Sequence, residues 1–161
     1  MLSPLTAWAE AASKSFTNPS SPLAYVPGST RLAAGYELLY RLGKDYEKPE
    51  FELHQIEKNG HAIPIVEQIV VEKPFCRLIR FKRFSDDSAT VTELKTEPIV
   101  LVCAPLSGHH STLLRDTVKT LLHDHKVYLT DWLDARMVPI EDGSFHLDDY
   151  VEYIQEFIRH I

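Results

Sequence analysis

The segment that follows the apolar run Ile99–Ala104 contains the residues best suited to chemistry in this sequence. Ser107, His109 and His110 lie there, directly before a predicted helix. In open α/β sheets, ligands meet the carboxyl ends of strands, and a helix N-terminus offers unpaired N–H groups at that edge. The segment therefore predicts a ligand-binding loop, or alternatively a helix cap formed by Ser107 or Ser111 with exposed histidines beside it.

Ser107 is also a candidate nucleophile, because it lies between a predicted strand and a predicted helix. The nucleophile elbow of ester hydrolases reads G-x-S-x-G, since its sharp turn needs small residues two positions before and two positions after the serine. In this sequence those positions hold Pro105 and His109. Both side chains would crowd the turn, so the sequence argues against a nucleophilic Ser107.

The remaining reactive side chains form no recognisable metal or cofactor motif. His123 and His125 flank Asp124, but they lack the H-E-x-x-H spacing of a zinc site, and no glycine-rich phosphate-binding motif is present. We therefore expect no metal and no cofactor. Cys76 and Cys103 lie in apolar, strand-like segments, which predicts two reduced core thiols.

Composition and charge exclude several classes of protein. The 161 residues include 17 Lys and Arg against 23 Asp and Glu, a net charge of −6. This balance disfavours a dedicated nucleic-acid-binding protein, whose surface would be basic. No apolar run approaches the ~20 residues that span a bilayer, and the first residues lack the pattern of a signal peptide. We expect a cytoplasmic protein with neither a nucleic-acid nor a membrane partner.

One segment departs from this acidic balance. Between Val71 and Phe84, five bases alternate with apolar residues, and Glu72 is the single acid. The pattern is typical of a solvated strand face, and it also fits a site for an anionic surface. The five bases are Lys73, Arg77, Arg80, Lys82 and Arg83.

Residues 1–48 predict a helical N-terminal segment. Apolar residues recur at helical spacing over residues 5–16 and again over residues 32–42. Prolines, glycine and small polar residues separate the two stretches and predict a loop. Ser29 or Thr30 is the expected N-cap of the second helix.

The middle of the chain predicts an antiparallel ribbon, because its apolar residues alternate with a period of two. Phe51 and Leu53 begin the first expected strand, and Asn59 and Gly60 supply a hairpin turn. A further strand covers residues 75–84.

After a turn at residues 85–88, the chain predicts an α/β arrangement. The run 99–104 is typical of a strand buried on both faces, and with a helix over 113–122 and a strand over 127–130 it makes a βαβ unit. A last helix over residues 147–161 has a broad apolar stripe. Two such strands cannot cover these helices, so we expect the N-terminal part of a larger α/β protein.

Several blocks of this sequence resemble the N-terminal half of intracellular polyhydroxyalkanoate depolymerases. The resemblance covers nearly the whole chain, and it is most specific over residues 35–42 and 130–136. The blocks are Ser21–Tyr25, Ala33–Leu42, Glu72–Leu78, Ala104–His109, Leu113–Val118, Val127–Arg136 and Leu147–Tyr150.

The resemblance implies an α/β-hydrolase fold, with residues 49–161 as a partial hydrolase domain, and hydrolysis of the ester bonds of stored poly(3-hydroxybutyrate). Members of the family attack the ester with a cysteine in a C-Q-P context, assisted by a histidine and an aspartate. This sequence has no C-Q-P, because Arg77 follows Cys76 and Ala104 follows Cys103. The fragment is therefore expected to lack its catalytic residues and to be inactive alone.

The resemblance further implies that the loop after Ile99–Ala104 supplies an oxyanion donor. In this fold one donor comes from the loop after the third strand, so the backbone N–H of Leu106 or Ser107 is the candidate, with His109 nearby. The implied partners are the polymer granule surface in the cytoplasm and a C-terminal complementing chain. Two alternatives stay open, namely a non-catalytic granule-associated protein and the N-terminal part of a related polyhydroxyalkanoate synthase or acyltransferase.

Overall fold

The computed structural model of the chain describes residues 3–44, 48–106 and 110–161. Its elements form a mixed α/β structure with helices at the N-terminus, a five-stranded sheet and a C-terminal helix. The chain divides into two compact units, Met1–Glu47 and Lys48–Ile161.

The first unit consists of two packed helices, α1 (Ser3–Thr17) and α2 (Ser29–Gly43), which confirms the two predicted helices. The N-cap predicted at Ser29 or Thr30 is wrong. Gly28 occupies that position with φ of 86°, a left-handed conformation that glycine adopts without steric cost. Ser29 is helical, and its hydroxyl donates to the carbonyl of Ala24 at 2.8 Å.

An aromatic contact joins α1 to α2. The ring of Tyr36 meets Trp8 edge-on at 5.2 Å and stacks on Phe16 at 5.8 Å between ring centroids. Ala9 and Ala33 are buried, and such small side chains let two helices approach closely. The apolar spacing that predicted the helices therefore also supplies their packing.

The second unit begins with the predicted hairpin, formed by β1 (Gln55–Lys58) and β2 (His61–Glu72). Asn59 and Gly60 have φ of 54° and 78°, as a two-residue hairpin turn with two positive φ angles requires. The strand β3 (Cys76–Arg83) pairs antiparallel with β2. The predicted ribbon is thus confirmed in its topology.

The predicted start of the first strand at Phe51 and Leu53 is wrong. Glu52 lies between them with φ of 52°, a left-handed angle that breaks an extended strand. Both side chains are nevertheless buried, and the ring of Phe51 meets Phe81 edge-on at 5.1 Å. The alternating apolar residues Phe51 and Leu53 are therefore buried in the core, but they do not pair as part of a strand.

A helix that the sequence did not predict, α3 (Ser88–Thr96), follows the turn at residues 85–88. Its N-cap is Asp87, whose carboxylate accepts the N–H of Thr90 at 2.7 Å. That hydrogen bond lowers the pKa of Asp87. Val91 and Leu94 are its only large apolar residues, so the helix has almost no apolar periodicity to detect.

The βαβ unit is confirmed. The strand β4 (Ile99–Val102) pairs parallel with β5 (Lys126–Trp132), and a 3-10 turn (Ser111–Leu114) and helix α4 (Arg115–Leu121) connect them. Because β5 also pairs antiparallel with β3, the strand order is β1-β2-β3-β5-β4.

The prediction that the 99–104 strand is buried on both faces is wrong. Within the described residues β4 pairs with β5 alone and lies at the edge of the sheet. Ile99 is 44% exposed, and the other three residues of β4 are only partly buried. Cys103 follows β4 and is exposed, against the prediction of a core thiol, whereas Cys76 is buried as predicted.

The sheet has an apolar cluster on each face. Val118 and Leu122, from α4 and its end, pack on one face with Phe81 and Leu129. Helix α5 (Leu147–His160), which confirms the last predicted helix, packs Phe157 on the other face. Ile154 and Ile161 are partly buried against the same cluster, whereas Leu147, Val151 and Ile158 of the apolar stripe are exposed. Among the described residues no helix has both the length and the apolar character needed to cross a membrane.

A buried charge network joins the hairpin, β3 and α3. Glu97, directly after α3, pairs with Arg83 of β3 and with Lys58 of β1, whose ammonium donates at 2.5 Å. The side chains of Arg83 and Glu97 are 3% and 6% exposed. Burial lowers the pKa of Lys58, but hydrogen bonds to Glu97 and Glu93 outweigh it and raise the pKa overall.

Candidate functional site

The carboxyl ends of β4 and β5 fix the start of the predicted ligand-binding loop. The N–H of Ala104 donates to the hydroxyl of Thr130 at 2.8 Å. The indole N–H of Trp132 donates to the carbonyl of Ala104 at 3.0 Å. Both polar groups of the Ala104 backbone are therefore held by side chains of the neighbouring strand, where the chain leaves the sheet.

Asp131 anchors the other end of the same loop. Its buried carboxylate accepts the hydroxyl of Ser111 at 2.5 Å and the ammonium of Lys48 at 2.7 Å. A buried charge needs such partners to offset its lost hydration. Ser111 therefore does not cap the helix with its side chain, as the sequence suggested, but binds Asp131 from the start of the 3-10 turn.

The oxyanion candidates are placed only in part. Leu106 is half exposed, and its backbone N–H donates to no group among the described residues. Ser107 and His109 lie outside the described residues, so the prediction made for them is not placed. His110 is partly buried and directly precedes the 3-10 turn, without a side-chain hydrogen bond to it.

A cavity of about 460 Å³ opens beside the loop. His110, Arg115 and Asp116 line it together with Pro49, so it presents groups of both charges. Arg115 is held in place because its guanidinium donates to the carbonyl of Glu50 at 2.7 Å. The volume of this cavity lies within the range that is typical of small-molecule sites.

An aromatic cluster lies on the α5 side of the same edge. The ring of Trp132 stacks with Tyr150 at 5.0 Å and lies 5.7 Å from Phe145, which stacks on Phe75 at 4.8 Å. Sequence reasoning missed this cluster, although five aromatic residues over positions 132–157 were a visible signal. Such a surface suits an apolar ligand chain.

Neither cysteine is activated as a nucleophile. Burial, and secondarily the charge of Asp131, raises the pKa of the Cys76 thiol far above its usual value. Cys103 follows β4 and is exposed, but part of its surface is shielded from water, and this partial burial also raises the pKa of its thiol. A reactive thiolate requires a lowered pKa, so the described residues hold no thiol prepared for attack.

Among the described residues, the histidine that precedes the 3-10 turn and those around Asp124 lie apart. His125 contacts Asp124 at 2.6 Å and directly precedes β5, whereas His110 lies near the opposite end of that strand. Across the described ranges, no group of three or more His, Cys, Asp or Glu residues could hold a metal ion.

Hydrogen bonds hold both ends of the loop beside the aromatic cluster. The described residues supply no activated nucleophile. Comparison of the chain with protein-family models, curated proteins and solved structures finds no match.

Proposed function

We propose that this chain forms the N-terminal part of an intracellular polyhydroxyalkanoate depolymerase, which hydrolyses the ester bonds of stored poly(3-hydroxybutyrate). The proposed location is the surface of polymer granules in the cytoplasm. The proposed fold is the first part of an α/β-hydrolase, to which the mixed sheet and the βαβ unit of β4, α4 and β5 correspond.

One observation carries this proposal. Two of the blocks that resemble the depolymerases, which begin at Ala104 and Val127, are separated in sequence, but Ala104 of the first contacts the second at the carboxyl edge of the sheet. Thr130 and Trp132 of the second block hold the backbone of Ala104 in the first. The residues that carry the resemblance are thus the residues that position the loop.

In the proposed reaction, this loop stabilises the negative charge that develops on the carbonyl oxygen of the attacked ester. The N–H of Leu106, which has no acceptor among the described residues, is the first candidate donor. The N–H of Ser107 is the second. One such donor contributes about 10²–10³ in rate. In this proposal Asp131 positions the loop and does not contact the ester. Its carboxylate binds Ser111, at the end of the loop, and Lys48.

The nucleophile comes from outside residues 1–161 in this proposal. The resemblance implies a cysteine in a C-Q-P context, a histidine base and an orienting aspartate, none of which this chain matches. Both of its thiols have raised pKa values. A complementing chain would add these groups beside β4, whose outer edge pairs with no strand in the described residues.

A second candidate is a granule-associated protein without catalytic activity. The observation that favours it is the lack of an activated thiol in either described position. The aromatic cluster of Trp132, Phe145 and Tyr150 would then bind the polyester without hydrolysing it.

Sedimentation with amorphous poly(3-hydroxybutyrate) granules tests the substrate assignment that both candidates share. We expect the purified chain to pellet with the granules and to release no 3-hydroxybutyrate. A Trp132→Ala, Phe145→Ala variant should bind less, whereas Val66→Ala, which removes an exposed side chain on β2, should bind like the wild type.

Two results would contradict the proposal. A chain that stays in the supernatant at all granule concentrations does not bind the polymer. Ester turnover that is abolished by Ser107→Ala would identify Ser107 as the nucleophile, against the argument from its crowded turn.

A further inference from the structure

A second cavity, of about 350 Å³, lies at the end of β3, where this strand extends beyond its pairing with β5. The last paired residue of β3 is Phe81, opposite Val127, so Lys82 and Arg83 continue without a partner on that side. Val91, Leu94 and Lys95 of helix α3 line another side of the cavity.

All the charged side chains that line this cavity are basic. They are contributed by β3, by the last turn of α3 and by the first residue of β5. In a chain with more acids than bases, such a convergence creates a local positive potential. The bases are Arg80, Lys82, Arg83, Lys95 and Lys126.

Four of these bases lack a carboxylate partner. Arg83 is neutralised by Glu97, but among the described residues the other four form no ion pair. Arg80 lies over the ring of Tyr128 at 5.7 Å, and Lys82 lies over Phe84 at 4.9 Å. Contacts with rings orient these cations and leave their charge uncompensated.

Apart from Ser85, the rest of the lining is apolar. Phe84, Val91 and Leu94 face the cavity, and the exposed ring of Phe84 forms part of its rim. The volume lies at the lower end of the 300–1,000 Å³ that is typical of small-molecule sites. A ligand that fits both parts of this lining has an anionic head and a short apolar tail.

The cavity is separate from the loop after β4. The strand β5 runs from Lys126 at the cavity to Trp132 at the loop over seven residues, which corresponds to about 20 Å at about 3.3 Å per residue. A ligand here would not contact the oxyanion candidates.

We propose that this cavity, named here the β3–α3 pocket, binds a small amphipathic anion, either a carboxylate or a phosphate monoester with a short alkyl chain. Lys82, Lys95 and Lys126 bind the head, and Phe84, Val91 and Leu94 contact the tail. This proposal does not rest on the proposed depolymerase function, and each can fail without the other.

Ligand-observed saturation-transfer NMR on the full chain tests the site at low ionic strength, with hexanoate and hexyl phosphate as observed probes and inorganic phosphate, which has no carbon-bound protons, as a competitor against them. We expect hexanoate, hexyl phosphate or both to bind, and inorganic phosphate to bind more weakly than hexyl phosphate. Binding should weaken as salt is added, because the attraction is between charges.

The variant Lys82→Gln, Lys95→Gln should weaken binding about tenfold or more, as loss of charged contacts does. Lys119→Gln is the matched control, because Lys119 is an exposed lysine on α4 outside the pocket. If the double variant is unstable, the single variant Lys95→Gln, at an exposed helix position, is measured in its place and should also bind the probes more weakly than the wild type.

The outcomes separate the two head groups and test the site itself. Binding of hexanoate alone identifies a carboxylate ligand, and binding of hexyl phosphate alone identifies a phosphate monoester. Absence of binding by both alkyl probes, or equal losses in the Lys119→Gln control, would overturn the proposal. Equal binding of inorganic phosphate and hexyl phosphate would show that Phe84, Val91 and Leu94 do not bind the alkyl tail, against the proposal.

Discussion

The ion pair between Glu97 and Arg83 is the contact whose loss should cost the second unit most. Glu97→Ala removes the one carboxylate that Arg83 and Lys58 share in this network. The two bases would keep only part of their partners. Arg83 retains the carbonyls of Leu122 and His125 but no carboxylate. Lys58 retains Glu93 at 3.1 Å and the carbonyl of His123 at 2.9 Å.

The magnitude follows from burial. Glu97 is 6% exposed, Arg83 3% and Lys58 10% at their side chains. Removing one partner of a buried pair costs about 3–5 kcal/mol, because the guanidinium of Arg83 stays buried without a carboxylate to balance its charge. At about 4 °C per kcal/mol for a unit of this size, the melting temperature should fall by about 12–20 °C.

Urea denaturation, followed by tryptophan fluorescence, measures this effect. Trp8→Phe is introduced in every variant, so that the signal reports Trp132 of the second unit alone. The matched control is Glu72→Ala, which breaks the exposed pair of Glu72 with Arg77 and should cost less than about 1 kcal/mol. If Glu97→Ala costs no more than Glu72→Ala, the buried network does not hold these elements together.

Two further predictions concern surfaces of the second unit. Cys103 is exposed and should react with a thiol reagent in the folded chain, whereas the buried Cys76 should react only after unfolding. The variant Cys103→Ser should therefore lose the fast reaction. Because burial raises the pKa of Cys103, its reaction should accelerate up to a higher pH than that of free cysteine; equal pH profiles would contradict this. The exposed apolar residues of α5 should make the purified chain self-associate in light scattering, and Ile158→Lys should reduce the mean mass. A monomeric wild type would show that the exposed apolar residues of α5 do not cause self-association.

Local patterns in the sequence were sufficient to predict the hairpin, the βαβ unit and the last helix. Asn59 and Gly60 determine their turn through backbone angles alone, and α5 has an apolar stripe that needs no tertiary information. Helix α3 escaped prediction because Asp87 caps a segment with only two large apolar side chains. Its stability depends on contacts made elsewhere in the chain.

The candidate site was predictable only as a position at the end of β4. Asp131 meets Lys48 across 83 residues and Ser111 across 20, and no local pattern links residues at such separations. The edge position of β4 was equally hidden, because an apolar run is the same whether a strand is central or lies at an edge that further chain could cover.

The most direct test of the proposed function is the release of 3-hydroxybutyrate from amorphous granules by a chimera. In this chimera, residues 1–161 replace the N-terminal part of an intracellular polyhydroxyalkanoate depolymerase. We predict that the chimera hydrolyses the polymer, and that Leu106→Pro or Ser107→Pro lowers kcat by about 10²-fold, whereas Leu106→Ala, which keeps the N–H, changes it little. A chimera that melts cooperatively but releases no acid would contradict the proposal, and unchanged kcat in both folded proline variants would show that the loop supplies no oxyanion donor.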